Sequence, residues 1–137
     1  MEEQAYAGPG TEDPARRRIV RRDADVRAHA VRDAYRAYET GDRALLERVL
    51  ADDFVFHSPA DPTLYRDSYL ERCWPNAQRL TRFEFVRFVD AGESVIVTYE
   101  CTRIDGSRFR NTEVLTLRGD QIVEVEVYFG WELQGGR

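Results

Sequence analysis

The stretch "RFRNTEVLTLRGDQIVEVEVYFGW" (108–131) alternates apolar and polar residues along two segments, which the Gly-Asp pair at 119–120 separates. Alternation with a period of two is typical of half-buried β-strands, and a Gly-Asp pair between strands predicts a tight turn. On the first of these strands Glu113 shares a face with Leu115 and Leu117. A carboxylate in an apolar row is either solvated at a rim or held in a pocket for a chemical purpose.

Two further alternating segments lie before this stretch. They are "RFEFVRFVD" (82–90) and "SVIVTYECTRI" (94–104), joined by a turn near Ala91-Gly92. Asp105-Gly106 then favours a two-residue hairpin turn. The second half of the chain is therefore predicted to form four strands in consecutive hairpins.

The first half of the chain has a helical pattern instead. From about Pro14, apolar residues recur every four positions and predict one helix that ends at Gly41. Asp42 can cap a second helix, which carries several leucines. The apolar stripe of the first helix consists of Val26, Ala30, Ala34 and Tyr38.

A short strand interrupts the helical part. "ADDFVFHSP" (51–59) is interpreted as that strand and "DPTLYRD" (61–67) as a loop, after which Asp67 or Ser68 can cap a third helix that runs through Trp74. Three helices with one strand among them, followed by four meandering strands, predict an α+β domain.

Length and composition restrict the class of protein. The chain has 137 residues, of which 42% are apolar, so we expect one folded domain over 14–134 behind a disordered leader, 1–13. The net charge of −5 argues against nucleic acid as the main partner. The cluster "RRRIVRR" (16–22) is either a solvated helix start or a binding patch. No apolar run is long enough to span a membrane and no signal-peptide pattern is present, which predicts a cytoplasmic protein without a membrane partner.

The cysteines and histidines are few. Cys73 and Cys101 predict no disulfide framework, and with His29 and His57 they give no metal-ligand spacing. We therefore expect neither a metal site nor a cofactor, and a reduced environment.

The hairpin turn decides which residues share a face of the sheet. With a two-residue loop at Asp105-Gly106, Thr98 faces Glu113 and Glu100 faces Asn111. One predicted face then carries Ile96, Thr98, Glu100, Thr102, Phe109, Asn111, Glu113, Leu115 and Leu117. The other carries Val95, Val97, Tyr99, Cys101, Arg103, Arg108, Arg110, Thr112, Val114 and Thr116. Both faces have apolar residues, so both are expected to be covered, in part by a second subunit in a homodimer.

Glu100 and Glu113 would be close together in this register. Two neighbouring carboxylates push their titrations apart, which suits proton transfer, and Asn111 could donate to either. The alternative is that both acids form ordinary ion pairs with Arg82, Arg87 or another arginine.

Three segments together resemble the nuclear transport factor 2-like superfamily, and within it the SnoaL-like, ketosteroid-isomerase-like bacterial members. The segments are "VRDAYRAYETGDRALLERVLADDFVFHSP", "YRDSYLERCWP" and "RNTEVLTLRGDQIVEVEVYFGW". The resemblance implies a cone-shaped, strongly curved sheet wrapped around N-terminal helices, with an apolar pocket, in proteins that are commonly homodimers. Members include isomerases, polyketide cyclases, dehydratases and binding modules, so the fold does not decide the function.

The catalytic residues of ketosteroid isomerase transfer only in part to this chain. By resemblance, the tyrosine position falls near Ala34, with Tyr35 beside it and Tyr38 one turn on. The position of the base falls on Ser58, and the second acid on Glu113. Only the second acid keeps its residue type among these three positions, as Glu in place of Asp. Steroid isomerisation by that mechanism is therefore not expected. The acid on this strand also resembles the acid/base carboxylate of polyketide cyclases.

His57 is the histidine nearest the predicted pocket and is a candidate acid or base. Strand parity turns Ser58 inward unless a twist before Pro59 reverses it, so a surface or interface role for His57 is the alternative. The remaining pocket candidates are Tyr38, Phe56, Ser58, Trp74, Asn111, Phe129 and Trp131. Such side chains suit a small apolar or aromatic molecule, although they could equally be plain core.

The sequence thus predicts a small-molecule pocket protein. As an enzyme it would transfer protons without a cofactor, like a cyclase, isomerase or dehydratase, with Glu113, Glu100 and His57 as its catalytic residues. The alternative is a ligand-binding or dimerisation module of the same fold, whose acids are paired with arginine.

Overall fold

The computed structural model describes residues 13–134, which form an α+β fold with the helices on one side of a curved, open six-stranded sheet. This confirms the predicted fold class. The predicted leader, 1–13, lies outside the described residues except for Asp13. In chain order the elements are α1 Pro14–Thr40, α2 Arg43–Val49, β1 Leu50–Ser58, β2 Asp61–Tyr65, α3 Arg66–Cys73, a 3₁₀ turn Trp74–Gln78, β3 Leu80–Asp90, β4 Ser94–Arg103, β5 Arg108–Arg118 and β6 Gln121–Leu133.

The helix ends follow the capping residues in two of three cases. Gly41 adopts a left-handed conformation and its N–H bonds to Ala37, which ends α1. Asp42 accepts a hydrogen bond from the Leu45 amide at 3.1 Å, which starts α2. Both predictions are confirmed. The cap predicted for the third helix at Asp67 or Ser68 is wrong, since α3 begins directly after Tyr65 without a side-chain cap.

The strands are arranged in the order β2-β1-β6-β5-β4-β3. Within residues 13–134 only the β1–β6 pair is parallel: the last strand lies beside the first and runs in the same direction. The predicted loop 61–67 is wrong in its first part: β2 pairs with β1 as an antiparallel edge strand. An edge strand tolerates Pro62, which had favoured the loop interpretation.

The β4–β5 hairpin differs from the expected one by a single residue. The Gly106 amide bonds to the Arg103 carbonyl, and the Arg103 amide to the Ser107 carbonyl, so the loop has three residues rather than two. Gly106 has φ +87°, the left-handed conformation that this three-residue turn requires. As a result Glu113 lies opposite Val97, not Thr98.

This shift changes the composition of the two faces. The inner face, which packs against the helices, gathers Val95, Val97, Tyr99, Cys101, Phe109, Asn111, Glu113, Leu115 and Leu117. The outer face keeps Ile96 and Val114 among polar and charged side chains. The prediction of a second subunit rested on apolar residues on both faces, and of β4 and β5 the outer face carries fewer of them than the inner face. The homodimer itself stays a prediction.

Within residues 13–134, no helix combines the length and the apolar character needed to cross a membrane. Cys73 and Cys101 are free and buried.

Candidate functional site

A cavity of about 470 Å³ lies between the helices and the inner face of the sheet. Helix α1 contributes Tyr35 and Tyr38, and α3 contributes Tyr69. The sheet contributes an apolar row on β1, β5 and β6. Most of the wall is therefore aliphatic or aromatic, and polar groups enter it at a few places.

Glu113 is the carboxylate in this wall. The Tyr35 hydroxyl donates to its Oε1 at 2.9 Å, and the Tyr99 hydroxyl donates to its Oε2 at 2.7 Å. Among the described residues it has no arginine or lysine partner. The side chain borders the cavity inside the fold, so a molecule in the cavity can reach it although bulk water cannot surround it.

Burial raises the pKa of Glu113 above its ordinary value of 4.5, because the cavity wall disfavours the charged form. The two tyrosine hydrogen bonds act in the opposite direction and lower it, since they stabilise the carboxylate. The same enclosure raises the pKa of Tyr35 and Tyr99 well above normal, and the neighbouring Glu113 raises them further. Both tyrosines therefore stay protonated and remain donors to the carboxylate.

A second polar centre lies on another part of the wall. The hydroxyls of Tyr38 and Tyr69 are 2.7 Å apart. In such a pair one hydroxyl donates to the other, and the proton of the accepting hydroxyl remains available for a ligand oxygen. Burial raises the pKa of both tyrosines, so both stay neutral. Cys73 lies nearby, where burial raises the pKa of its thiol to about 11 and keeps it uncharged.

Most of the predicted pocket residues do line the cavity: Tyr38, Phe56, Ser58, Asn111 and Phe129. Trp74 does not line it and instead packs against the ring of Tyr38, with the ring centroids 5.2 Å apart.

Glu100 is far from its predicted place. It lies on the outer face, where Arg108 donates to Oε1 at 2.8 Å and Arg110 donates to Oε2. The hydrogen bond from Arg110 lowers the pKa of Glu100. Its expected pairing with Glu113 is wrong because the three-residue turn moves Glu100 to the opposite face. For Glu100 the ion-pair interpretation holds, although with arginines other than Arg82 and Arg87.

His57 also faces away from the cavity. Its Nε2 lies 2.9 Å from Glu124 Oε2, and its Nδ1 lies 3.3 Å from Thr63 Oγ1. Phe56 and Ser58 line the cavity and His57 between them does not, although the β1–β2 register shifts between Phe56 and Ser58. The placement of His57 in the catalytic site is therefore wrong.

Trp131 was expected in the pocket, like Phe129, and lies on the other face. The register of β5 and β6 slips between Phe109 and Asn111, so Gly130 and Trp131 together oppose Arg110. This bulge reverses the alternation, and the Arg110 guanidinium stacks on the Trp131 ring, 5.3 Å from its centroid. Trp131 is 61% exposed.

The sequence interpretation missed two neighbours of Glu113. Tyr99 had been assigned to the opposite face because a two-residue turn was assumed, although its alternation with Val97 and Cys101 is typical of the buried face. Tyr35 lay beside the helical stripe, where positions 31, 34, 35 and 38 repeat with helical spacing and could have revealed it. Asp61 was also missed because its strand had been taken for a loop.

No group of three or more His, Cys, Asp or Glu side chains within residues 13–134 is arranged to hold a metal ion.

The family follows from a match of residues 31–125 to the model of the SnoaL-like domain. The matched part is well over half of the chain. The chain belongs to the SnoaL-like family.

Solved structures agree with this SnoaL-like assignment at the level of the fold. A nuclear transport factor 2-like protein of unknown function from Burkholderia xenovorans is 16% identical, with 82% of this chain and 89% of that one covered and a TM-score of 0.71. A candidate polyketide cyclase from Sinorhizobium meliloti is 18% identical, with 73% and 94% covered and a TM-score of 0.63. A hypothetical protein from Catenulispora acidiphila with a ketosteroid isomerase-like fold, in complex with trimethylamine, is 15% identical, with 74% and 85% covered and a TM-score of 0.62. No curated protein matches the chain.

Proposed function

We propose that this SnoaL-like protein binds a small apolar carbonyl compound in its cavity and moves a proton on it with Glu113, without a cofactor. The observation that carries the proposal is the Glu113 carboxylate, enclosed in an apolar wall and held by two tyrosine hydroxyls in place of an arginine. A carboxylate whose pKa is raised towards neutrality is a better proton acceptor than an ordinary one.

The proposed step begins with ionised Glu113. Its carboxylate takes a proton from a carbon next to the ligand carbonyl, which gives an enolate and a neutral Glu113 carboxyl group. The neutral carboxyl then returns the proton to the same or another carbon of the ligand. Tyr35 and Tyr99 hold the carboxylate in one orientation throughout.

The Tyr38–Tyr69 pair would act on the oxygen end of the ligand. A free hydroxyl proton from this pair can donate to the carbonyl oxygen, where negative charge develops as the enolate forms. In the proposed site this pair of tyrosines thus acts as the electrophile by donating a hydrogen bond to the carbonyl oxygen, while Glu113 acts as the base.

The second candidate is a binding module without catalysis. It is favoured by the fact that both oxygens of Glu113 already accept hydrogen bonds, as a satisfied structural carboxylate would. In that case the cavity would hold a ligand and no proton would move.

Proton exchange on 2-tetralone distinguishes the two candidates. This flat apolar ketone has acidic protons beside its carbonyl, and NMR in D₂O follows their replacement by deuterium. We expect the wild-type protein to accelerate the exchange and Glu113→Gln to reduce that acceleration about 100-fold or more, because the amide cannot accept the proton. Glu126→Gln, on the outer face, is the matched control and should keep the wild-type rate.

Binding of 2-tetralone, measured by saturation-transfer NMR, completes the test. Binding without accelerated exchange would support the binding module. Absence of both binding and exchange would contradict the use of the cavity for small apolar carbonyl compounds.

A further inference from the structure

The opening of the cavity carries arginine side chains, although the chain as a whole is acidic. Arg79 and Arg103 both line the cavity, together with Asp61. Arg79 is largely exposed, so it lies at the opening rather than in the interior. The Ile104 amide bonds to the Arg79 carbonyl at 2.9 Å, which holds the 3₁₀ turn beside the β4–β5 hairpin.

Arg103 and Asp61 each form an ion pair within the protein. Arg103 makes two hydrogen bonds to the Glu132 carboxylate, at 2.7 and 2.8 Å. Asp61 accepts from Arg72 and, at 2.9 Å, from the Ser58 hydroxyl. Neither charge is therefore free to attract a ligand of opposite sign without breaking an existing pair.

Arg79 differs from these residues. Within residues 13–134 its guanidinium has no hydrogen bond, ion pair or ring contact. It is thus the one charged group on the cavity wall, among the described residues, that is both permanently ionised and without a partner. Glu113 is also without an ion partner, but it is enclosed and held by its two tyrosines.

Asn76 adds a second polar side chain next to Arg79 at the opening of the cavity. It lies in the 3₁₀ turn, three residues before Arg79, which caps the end of that turn, and it also lines the cavity. Side chains at i and i+3 of such a turn stand on the same side. Its carbonyl accepts from the Arg79 amide at 2.8 Å, which fixes the spacing of the two residues. The turn thus presents an amide and a guanidinium, both hydrogen-bond donors, to a ligand at the opening.

We propose that the natural ligand is an amphipathic carboxylate, whose apolar body fills the cavity and whose anionic group binds Arg79 and Asn76 at the opening. A guanidinium can donate two parallel hydrogen bonds to a carboxylate, and the Asn76 amide can add a third. This inference rests on the proposed function, since it names the class of ligand that the same cavity receives.

Two probes of the same shape test the proposal: 2-naphthoate, which carries the carboxylate, and methyl 2-naphthoate, its neutral ester. Isothermal titration at pH 7 gives the dissociation constant of each. We expect wild type to bind the acid more tightly than the ester. Arg79→Gln should raise the dissociation constant of the acid about fivefold and that of the ester less than about twofold. The effect is modest because Arg79 is solvated before binding. Asn76→Ala should weaken the acid by a smaller factor.

Arg87→Gln is the matched control, since Arg87 is also an exposed arginine, on β3, but does not line the cavity. It changes the net charge equally and should leave both probes unaffected. An equal loss for acid and ester in Arg79→Gln, or an unchanged affinity for the acid, would overturn the carboxylate proposal. If the ester binds and 2-tetralone exchanges normally in that case, the proposed function stands. Failure of wild type to bind either probe would overturn the carboxylate proposal, and the exchange of 2-tetralone would then decide separately on the proposed function.

Discussion

Two glutamates on neighbouring strands of this protein have opposite surroundings. Glu113 faces the cavity between Tyr35 and Tyr99, whereas Glu100 faces outward between Arg108 and Arg110. Burial raises the pKa of Glu113, and hydrogen bonds from arginine lower that of Glu100. Residue type alone therefore does not identify a proton-transfer group. The face of the sheet and the charge of the partners decide it.

The greatest loss of stability is expected from a substitution at Gly130, in the bulge near the end of β6 that turns Trp131 to the outer face. A Cβ on Gly130 would lie 2.1 Å from the Arg110 carbonyl oxygen, which belongs to the backbone and cannot move aside alone. Gly130→Ala should lower the free energy of unfolding by about 3 kcal/mol, measured by denaturant unfolding. A loss below about 1 kcal/mol would show that the two strands do not approach so closely.

The next effect separates the two glutamates by the pH dependence of stability. Because the folded pKa of Glu113 is raised, wild type should lose stability as the pH rises from about 4.5, the ordinary value, through the folded pKa. The slope that one carboxyl group contributes cannot exceed about 1.4 kcal/mol per pH unit. Glu113→Gln lacks this term, so its stability relative to wild type should improve over the same window.

Glu100→Gln provides the comparison. The pKa of Glu100 is lowered in the folded protein. Its contribution to stability is therefore present above the ordinary pKa and is lost as the pH falls through the folded value. The two variants should therefore diverge from wild type in opposite directions. Parallel pH profiles would contradict the assigned environments.

A smaller effect tests the hydrogen bonds of Glu113. Tyr99→Phe removes a donor to Glu113 Oε2 and the acceptor that the Asn111 amide contacts at 3.4 Å. The free energy of unfolding should fall by about 1 kcal/mol, and the pKa of Glu113 should rise because a hydrogen bond to its charged form is lost. Tyr128→Phe, which removes an exposed hydroxyl bonded to Glu126, is the control and should change neither quantity.

The smallest effect is expected on the outer face. Glu100→Gln should cost about 0.5 kcal/mol at neutral pH, because ion pairs close to solvent contribute little net stability. The cost should shrink in high salt, which unfolding at two ionic strengths can measure. A cost above about 2 kcal/mol, insensitive to salt, would mean that Glu100 is more enclosed than its contacts indicate.

The sequence was sufficient for features that depend on local pattern. The capping residues Gly41 and Asp42, the helix before them and the alternation around Glu113 all follow from nearest neighbours along the chain. The position of Glu113 on the face of Leu115 and Leu117 needs no knowledge of its partner strand, and the structure places it there.

Features that depend on the pairing of two strands were not predicted correctly from the local sequence pattern. One extra residue in the turn after Arg103 moves every side chain of β4 to the other face, so Glu100 and Tyr99 exchange places. A bulge at Gly130 does the same to Trp131. Asp-Gly is compatible with both turn lengths. Gly130 inside a strand is a local signal of a bulge, but it does not say how the two strands pair around it, so the full set of cavity residues required the folded chain.

We expect Glu113 to hold its proton more tightly than an ordinary glutamate, and Glu100 to hold it less tightly. The direct measurement is an NMR titration of the side-chain carboxyl carbons in ¹³C-labelled protein, with each signal assigned by Glu→Gln substitution. Glu113 should titrate above 4.5 and Glu100 below it. Titration of Glu113 at or below the midpoint of Glu100 would contradict this expectation.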